Sequence, residues 1–498
     1  MSPNTSLLAE PLLQNNSELE QRSQSNSLQP PQSNLPLESS TKSRNINLVL
    51  AYTFFTFSAR SLWNQSVLSA FVYLLKSNDP KYVGFLTGLM GMAQLLTSFP
   101  SGWLADKYRR DTMLKWGSVI GFVAAISTFI ASRMNSFSLL GMSLAIWGLF
   151  WGVCNTSVMA LFADSIPDGD RSYYFMQRML LQYFGNTFGP ATALLMFTRL
   201  GDEWTLGECS VVIGAGQVLS IPALILLCFM NDDYCIQDKE ETSCGDQDEY
   251  SVINTDSTHT DGSNVVDDAS DEECVSEEID HEEHASLVDR ADSGDINSQD
   301  RTEFFCIPTN RVVPVLVSFA DILSGLAAGM SIRYFPIFFI DNLQLNPAQV
   351  QIIFIVAMLS MAVTGRTAQW VGTKIGRVQT TVICKWIGAL LLMAMISSHQ
   401  NGVAPLYVCI LFVLRTASMN APGALTRSVL MDHVPKEERG KWSALESVNM
   451  FSWAGSAALG GILVDLEGIL FNFKMTAGFQ LVATIPLMMI FGRVRSEN

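Results

Sequence analysis

Twelve stretches of this chain are long and apolar enough to cross a bilayer, and that count restricts the fold more than any other feature. A spanning helix needs about 20 mostly apolar residues. Runs bounded by charged or Gly/Pro-containing turns fall at residues 46–75, 83–104, 113–132, 137–164, 173–198 and 208–230, and again at 312–340, 349–371, 379–398, 403–432, 443–464 and 470–492. Lipid offers no hydrogen bonds to a backbone, so each run predicts an α-helix. The expected fold is an all-α membrane protein whose 12 transmembrane helices form two pseudo-symmetric six-helix bundles. Composition agrees: 16% of residues are charged, against about a quarter in a soluble domain.

The net charge of -16 describes one segment. Residues 232–303 hold 25 acidic side chains against Lys239, Arg290 and Arg301, and removing them leaves the rest net positive. The segment has few large apolar residues, so it predicts a solvated linker with no core. His281 and His284 sit among its acids, and Ser270 is offered there to acid-directed kinases. The basic residues form no stripe, which argues against nucleic acid as a partner. The predicted divisions are a disordered tail (1–45), a first bundle (46–230), the acidic loop (231–311), a second bundle (312–492) and a short tail (493–498). No metal cluster, nucleophile–base pair or G-x-x-x-x-G-K-[ST] loop is present, so neither an enzyme, an ATP pump nor a cofactor is expected.

Loop basicity sets orientation. With the N-terminus inside, the inner loops hold Lys107, Arg109, Arg110, Lys115, Lys374 and Arg377, whereas the outer loops hold few basic residues. Both termini and the acidic loop are therefore expected in the cytoplasm, with plasma membrane and endomembrane both open as destinations.

The two halves repeat. Residues 164–171 read DSIPDGDR and residues 432–439 read DHVPKEER, sharing D-x-[IV]-P-x-x-x-R at an offset of 268. Lys107/Arg110 and Lys374/Arg377 match at an offset of 267, as do Arg44 and Arg311. A near-constant offset at separate loops predicts a duplication, with a solute site near mid-membrane between the halves.

At these residues the chain resembles the major facilitator superfamily over nearly all of 44–498. Residues 102–110 read GWLADKYRR, similar to the family's G-x-L-a-D-r-x-G-R-r, with Arg109 where Gly is usual. Thr373 stands where the second half would carry the acid. Gly185, Gly189 and Pro190 resemble the antiporter element g-x-x-x-G-P-x-x-G-G, with Ala193 and Leu194 in place of its last glycines; the same spacing also reads as a packing seam. The resemblance implies a gate of Gly102, Asp106, Arg110, Asp164, Arg171, Asp432 and Arg439, closing one end when the other is open. It also implies that spans one, four, seven and ten line the cavity.

Charges inside spans cost about 2.5–3.5 kcal/mol on insertion scales and mark function. Arg60, Arg333 and Arg415 are the deep cations; with Asn64, Asn155 and Asn420 they are the candidate substrate-binding residues. Asp321 and Glu446 are candidates for proton coupling, although Leu411 and Arg415 resemble an antiporter L-x-x-x-R that would give Arg415 a proton-tuning role instead. Deep cations outnumber deep carboxylates, which hints at an organic or phosphate-bearing anion as solute. The expected function is secondary transport by alternating access. A membrane receptor on the same scaffold and a channel-like facilitator stay open as alternatives. The expected partners are a small-molecule solute and the lipid bilayer, and a monomer is expected.

Overall fold

The computed structural model describes residues 35–167, 171–235, 303–304, 307–433 and 439–491. Most of the predicted N-terminal tail, the C-terminal tail and most of the acidic loop lie outside them, while residues 35–45 of the predicted N-terminal tail belong to the first helix. In the loop region Glu303–Phe304 and Ile307–Pro308 pair as a short antiparallel ribbon.

The rest is helical. In the first half the helices are α1 (Leu35–Asn64), α2 (Val67–Leu75), α3 (Lys81–Lys107), α4 (Arg110–Arg133), α5 (Phe137–Asp164), α6 (Arg171–Leu200) and α7 (Leu206–Phe229). In the second they are α8 (Thr309–Ile332), α9 (Phe335–Asp341), α10 (Pro347–Ile375), α11 (Arg377–Gln400), α12 (Pro405–Asn420), α13 (Gly423–His433), α14 (Arg439–Glu467), α15 (Ile469–Val482) and α16 (Ile485–Met488). The two halves are six-helix bundles. Seven of the rods among the described residues are long and apolar enough to cross a membrane by length and composition alone.

The predicted spans reappear, four of them broken. Span ten divides at Pro422, which cannot donate a backbone hydrogen bond. Span twelve divides before Pro486 in the same way. Span one divides without proline between Asn64 and Val67, and span seven divides between Ile332 and Phe335, just before Pro336. Those breaks are 268 residues apart, and α4 and α11 begin and end 267 residues apart. The duplication read from the loops extends to the helix ends.

Each bundle is apolar outside, and its interior sets small and polar residues among large aromatics. On α4, Trp116, Val119, Val123, Ile126 and Ile130 are exposed at helical spacing, the stripe that meets lipid. Its opposite face is buried: Ser118 donates to the Leu224 carbonyl at 2.7 Å and Thr128 accepts from Trp147 Nε1 at 3.1 Å. Small residues let helices approach closely where lipid provides no hydrophobic drive.

Contacts between the halves run along two seams, α3 on α14 and α6 on α10. By the repeat, α3 corresponds to α10 and α6 to α14, so the seams are images of one another. On the first, Gly88 faces Ala458 and Gly91 faces Ala454. Within the first half, Gly185 and Gly189 seat α6 against α1: a Cβ on Gly185 would lie 2.9 Å from the Phe54 carbonyl oxygen, and one on Gly189 would collide with Ser61 and the Leu62 amide. The G-x-x-x-G-P stretch is thus a packing seam in this chain. Gly189→Ala should cost about 1–3 kcal/mol, the usual penalty of overpacking, and lower the thermal midpoint in detergent by several degrees. An unchanged midpoint would show that α6 does not depend on this approach.

Candidate functional site

The breaks in spans one and seven place the deep arginines. Arg60 lies on the last turn of α1, and Arg333 lies in the joint between α8 and α9. The Nη1 of Arg333 donates to the Asn64 carbonyl oxygen, a group freed where α1 stops. Arg333 is buried and its guanidinium lies 5.7 Å from the Trp453 ring. Arg60 lies 4.8 Å over the Trp151 ring of α5, and Arg415 on α12 lies 5.0 Å over the Phe335 ring. Arg60 is close enough to Arg333 for the two charges to repel. Tyr52, buried on α1, lies within reach of both Arg60 and Arg178; nothing in its apolar surroundings singled it out in the sequence.

None of the three arginines pairs with a carboxylate among the described residues. Each rests on an aromatic ring instead. A cation–π contact contributes about 0.5–2 kcal/mol, less than the cost of holding a guanidinium inside a span. The site therefore retains a deficit that an anion could offset by bidentate hydrogen bonding.

Beside Arg60 is a small cavity walled by Trp63, Trp147, Phe150 and Trp151, with Ser220 and Leu224 closing it from α7. It holds about 20 Å³ of free space, room for roughly one water. Of the expected binding residues, Arg60, Asn64 and Arg333 meet. Asn64 is buried and its Oδ1 has no hydrogen-bond partner among the described residues. Asn155 is exposed, one turn from Trp151 on the same face of α5. Asn420 is exposed and donates to the Thr416 carbonyl at 2.8 Å, closing its own helix.

Asp321 on α8 has a partner that the sequence did not announce. Lys385 of α11 is buried, with its Nζ 3.5 Å from Asp321 Oδ1 and 2.9 Å from Ser324 Oγ. A lysine in the middle of the run 379–398 was the available signal. The side chains of Gly102, Asp106, Arg171, Asp432, Arg439 and Glu446 lie outside the described residues.

At the end of the bundle carrying the basic loops, the described charges close within the first half. Arg110 pairs with Asp164, and the Arg110 backbone amide donates to Asp232 at 3.2 Å, a carboxylate favoured at the N-terminus of α4. Arg109, where the family motif has Gly, donates to Asp233 at 2.7 Å and to Asp111 at 3.1 Å. The hydrogen bonds to those carboxylates raise its pKa, fixing its charge. Asn45 donates to the Asn231 carbonyl at 2.7 Å, and burial pushes the nearby Cys235 thiol up to about 11, so it is protonated at neutral pH. In the second half Arg377 donates to Ser428 at 3.0 Å.

At the opposite end, polar contacts cross between the halves. The Tyr73 hydroxyl donates to Asp341, a residue 268 positions away and hence its own repeat equivalent. Gln351 donates to Ser66 at 2.9 Å, Trp204 to the Leu345 carbonyl at 2.8 Å, and the Ala348 amide to Asp202 at 2.7 Å. A residue can touch its own repeat mate only near the pseudo-two-fold axis, so this end is where the halves close on each other.

Two six-helix repeats joined at an axis, with cations buried at the join, define a membrane transporter of the repeat-built class. The sequence matches the family model of the Major Facilitator Superfamily over residues 27–234 and 317–498, and the chain belongs to that superfamily. Solved structures share the fold. A bacterial homologue of the iron transporter ferroportin in its inward-facing state aligns with a TM-score of 0.62 at 12% identity, covering 90% of this chain and 98% of that one. An auto-inhibited POT family peptide transporter gives 0.60 at 12% identity over 92% and 97%. The nucleoside transporter NupG gives 0.54 at 13% identity over 90% and 99%. No curated protein matches the sequence.

Tyr73→Phe combined with Asp341→Asn should weaken closure at the far end. One charge-assisted hydrogen bond contributes about 1.5–3 kcal/mol, so thiol alkylation in a Ser69→Cys background should accelerate about tenfold or more. An unchanged rate would show that this contact does not hold the end shut.

Proposed function

We propose that this chain is a secondary active transporter that moves a small organic or phosphate-bearing anion by alternating access. The observation that carries the reading is the set of three span-embedded arginines, each resting on a ring and none paired with a carboxylate among the described residues. Positive charge without a protein counterion suits an anionic solute and disfavours a metal cation of the kind named for the ferroportin homologue.

In this reading the two bundles rock about the contact between the spans' broken ends. Arg60 and Arg333 face the solute from the two halves, and Arg415 approaches from α12. Asn64 supplies an acceptor at the break, and Asn155 and Asn420 line the approach. Gly102, Asp106, Arg110, Asp164, Arg171, Asp432 and Arg439 form the gate at the basic end, which is cytoplasmic together with both termini and the acidic segment. The Arg110–Asp164 pair is half-exposed and lies within the first bundle, so it contributes about 1 kcal/mol or less and in this reading positions the gate on the first half's side. Asp321 exchanges a proton, its charge balanced by Lys385 when ionised, and Glu446 is the second coupling carboxylate. Chemistry on the solute is no part of the reading.

The test is uptake by proteoliposomes under an imposed pH gradient across a panel of organic and phosphorylated anions. Arg60→Ala and Arg415→Ala should each lower flux at least about tenfold, corresponding to about 1.4 kcal/mol of lost binding, with folded protein retained in the membrane. Full flux in both variants would remove the assignment. A separate variant addresses coupling. Asp321→Asn should keep solute exchange but lose the response to the pH gradient; loss of exchange as well would make Asp321 structural.

A further inference from the structure

Three indoles and a phenyl ring line one side of the arginine site, more aromatic surface than binding an anionic group requires. Trp63 and Trp147 lie 5.9 Å apart, Trp147 and Trp151 stack at 6.5 Å with 28° between their planes, and Phe150 meets Trp147 and Trp151 edge-on at 5.2 and 5.3 Å. The Trp147 N–H is occupied by Thr128, so this indole offers its ring face alone. Trp151 is only partly buried, and its ring is covered by the Arg60 guanidinium.

We infer that the solute carries a flat aromatic ring next to its anionic group, and that this ring exchanges places with the Arg60 guanidinium on the face of Trp151. The inference rests on the anion-transport reading of the same site. Its physical basis is a pairing that both partners can leave. No carboxylate among the described residues holds the guanidinium off Trp151, and a cation–π contact is weaker than a forked bond to an anion. When an anion arrives, Arg60 turns onto it and uncovers the indole. An aliphatic anion would leave that indole face without a partner. A ring attached to the anion covers it by offset stacking, the arrangement aromatic pairs prefer. The cavity holds about 20 Å³, too little for a ring, so the ring's place has to come from the departing guanidinium. Arg333 over Trp453 and Arg415 over Phe335 repeat the cation-on-ring pairing in the second half, but among the described residues only Arg60 opens onto a wall of stacked indoles.

The experiment is calorimetric titration of the purified full-length protein with three probes: benzenesulfonate, cyclohexanesulfonate and benzenesulfonamide. The two sulfonates share charge and approximate size and differ in the π face; the sulfonamide has the ring without the charge. Benzenesulfonate should bind about tenfold more tightly than cyclohexanesulfonate, the size of one aromatic contact, and the sulfonamide more weakly than either. Trp151→Leu should bring the ratio of the two sulfonate affinities to about one, and Trp151→Phe should keep most of it. Equal binding of both sulfonates by the unaltered protein would overturn the ring inference and leave the anion reading standing. Tighter binding of the neutral sulfonamide would overturn the anion reading. Absence of binding by all three would overturn both. A ratio unchanged in Trp151→Leu would also overturn the inference, because the preference would arise elsewhere.

Discussion

A helix broken inside a bilayer frees backbone carbonyls that lipid cannot satisfy, and this structure is organised around two such breaks. Spans one and seven stop at equivalent positions, and the side chain from one joint satisfies the backbone of the other: Arg333 donates to the Asn64 carbonyl. The interaction fixes the halves against each other at their axis. It also explains why an arginine is retained so deep, since a carbonyl is a partner that accepts without cancelling the charge. Tyr73 and Asp341, the next pair toward the far end, meet by the same geometry. The proposed solute site adjoins this crossing, because Arg60 is one helical turn before the break.

The energetics of the site follow from what surrounds it. A cation in a span is expensive, and aromatic faces return only part of that cost. In the proposed reading the site is therefore poised: it tolerates its charges without a ligand but would gain from an anion. A buried carboxylate partner would have made the charges comfortable and the site indifferent. The second half shows that alternative, where Lys385 and Asp321 satisfy one another away from the axis.

The basic end works differently. Its described charges pair within the first half, through Arg110 with Asp164 and Arg109 with Asp233 and Asp111. Arg109 replaces the glycine of the family motif and uses its length to tie the segment following α7 to the start of α4. The departure from the motif therefore has a structural role on the chain's own surface.

The helical architecture was legible because hydrocarbon thickness and backbone satisfaction act on every residue of a run, so length and apolarity alone specify a span. The duplication was legible because loop charges repeat at a nearly constant offset. Arg60, Arg333 and Arg415 could be marked because a charge in an apolar run is visible without knowing its neighbours. Their partners could not be. Trp453 and Phe335 read as ordinary core aromatics, Trp151 was legible only as a residue of a span expected to line the cavity, Lys385 gained meaning only beside Asp321, and the break at Asn64 carries no proline to announce it. Local composition fixes which segments enter the membrane and which charges go with them. Which charge rests on which ring, and which end closes, is set by packing between helices hundreds of residues apart, where a shift of one turn exchanges every partner.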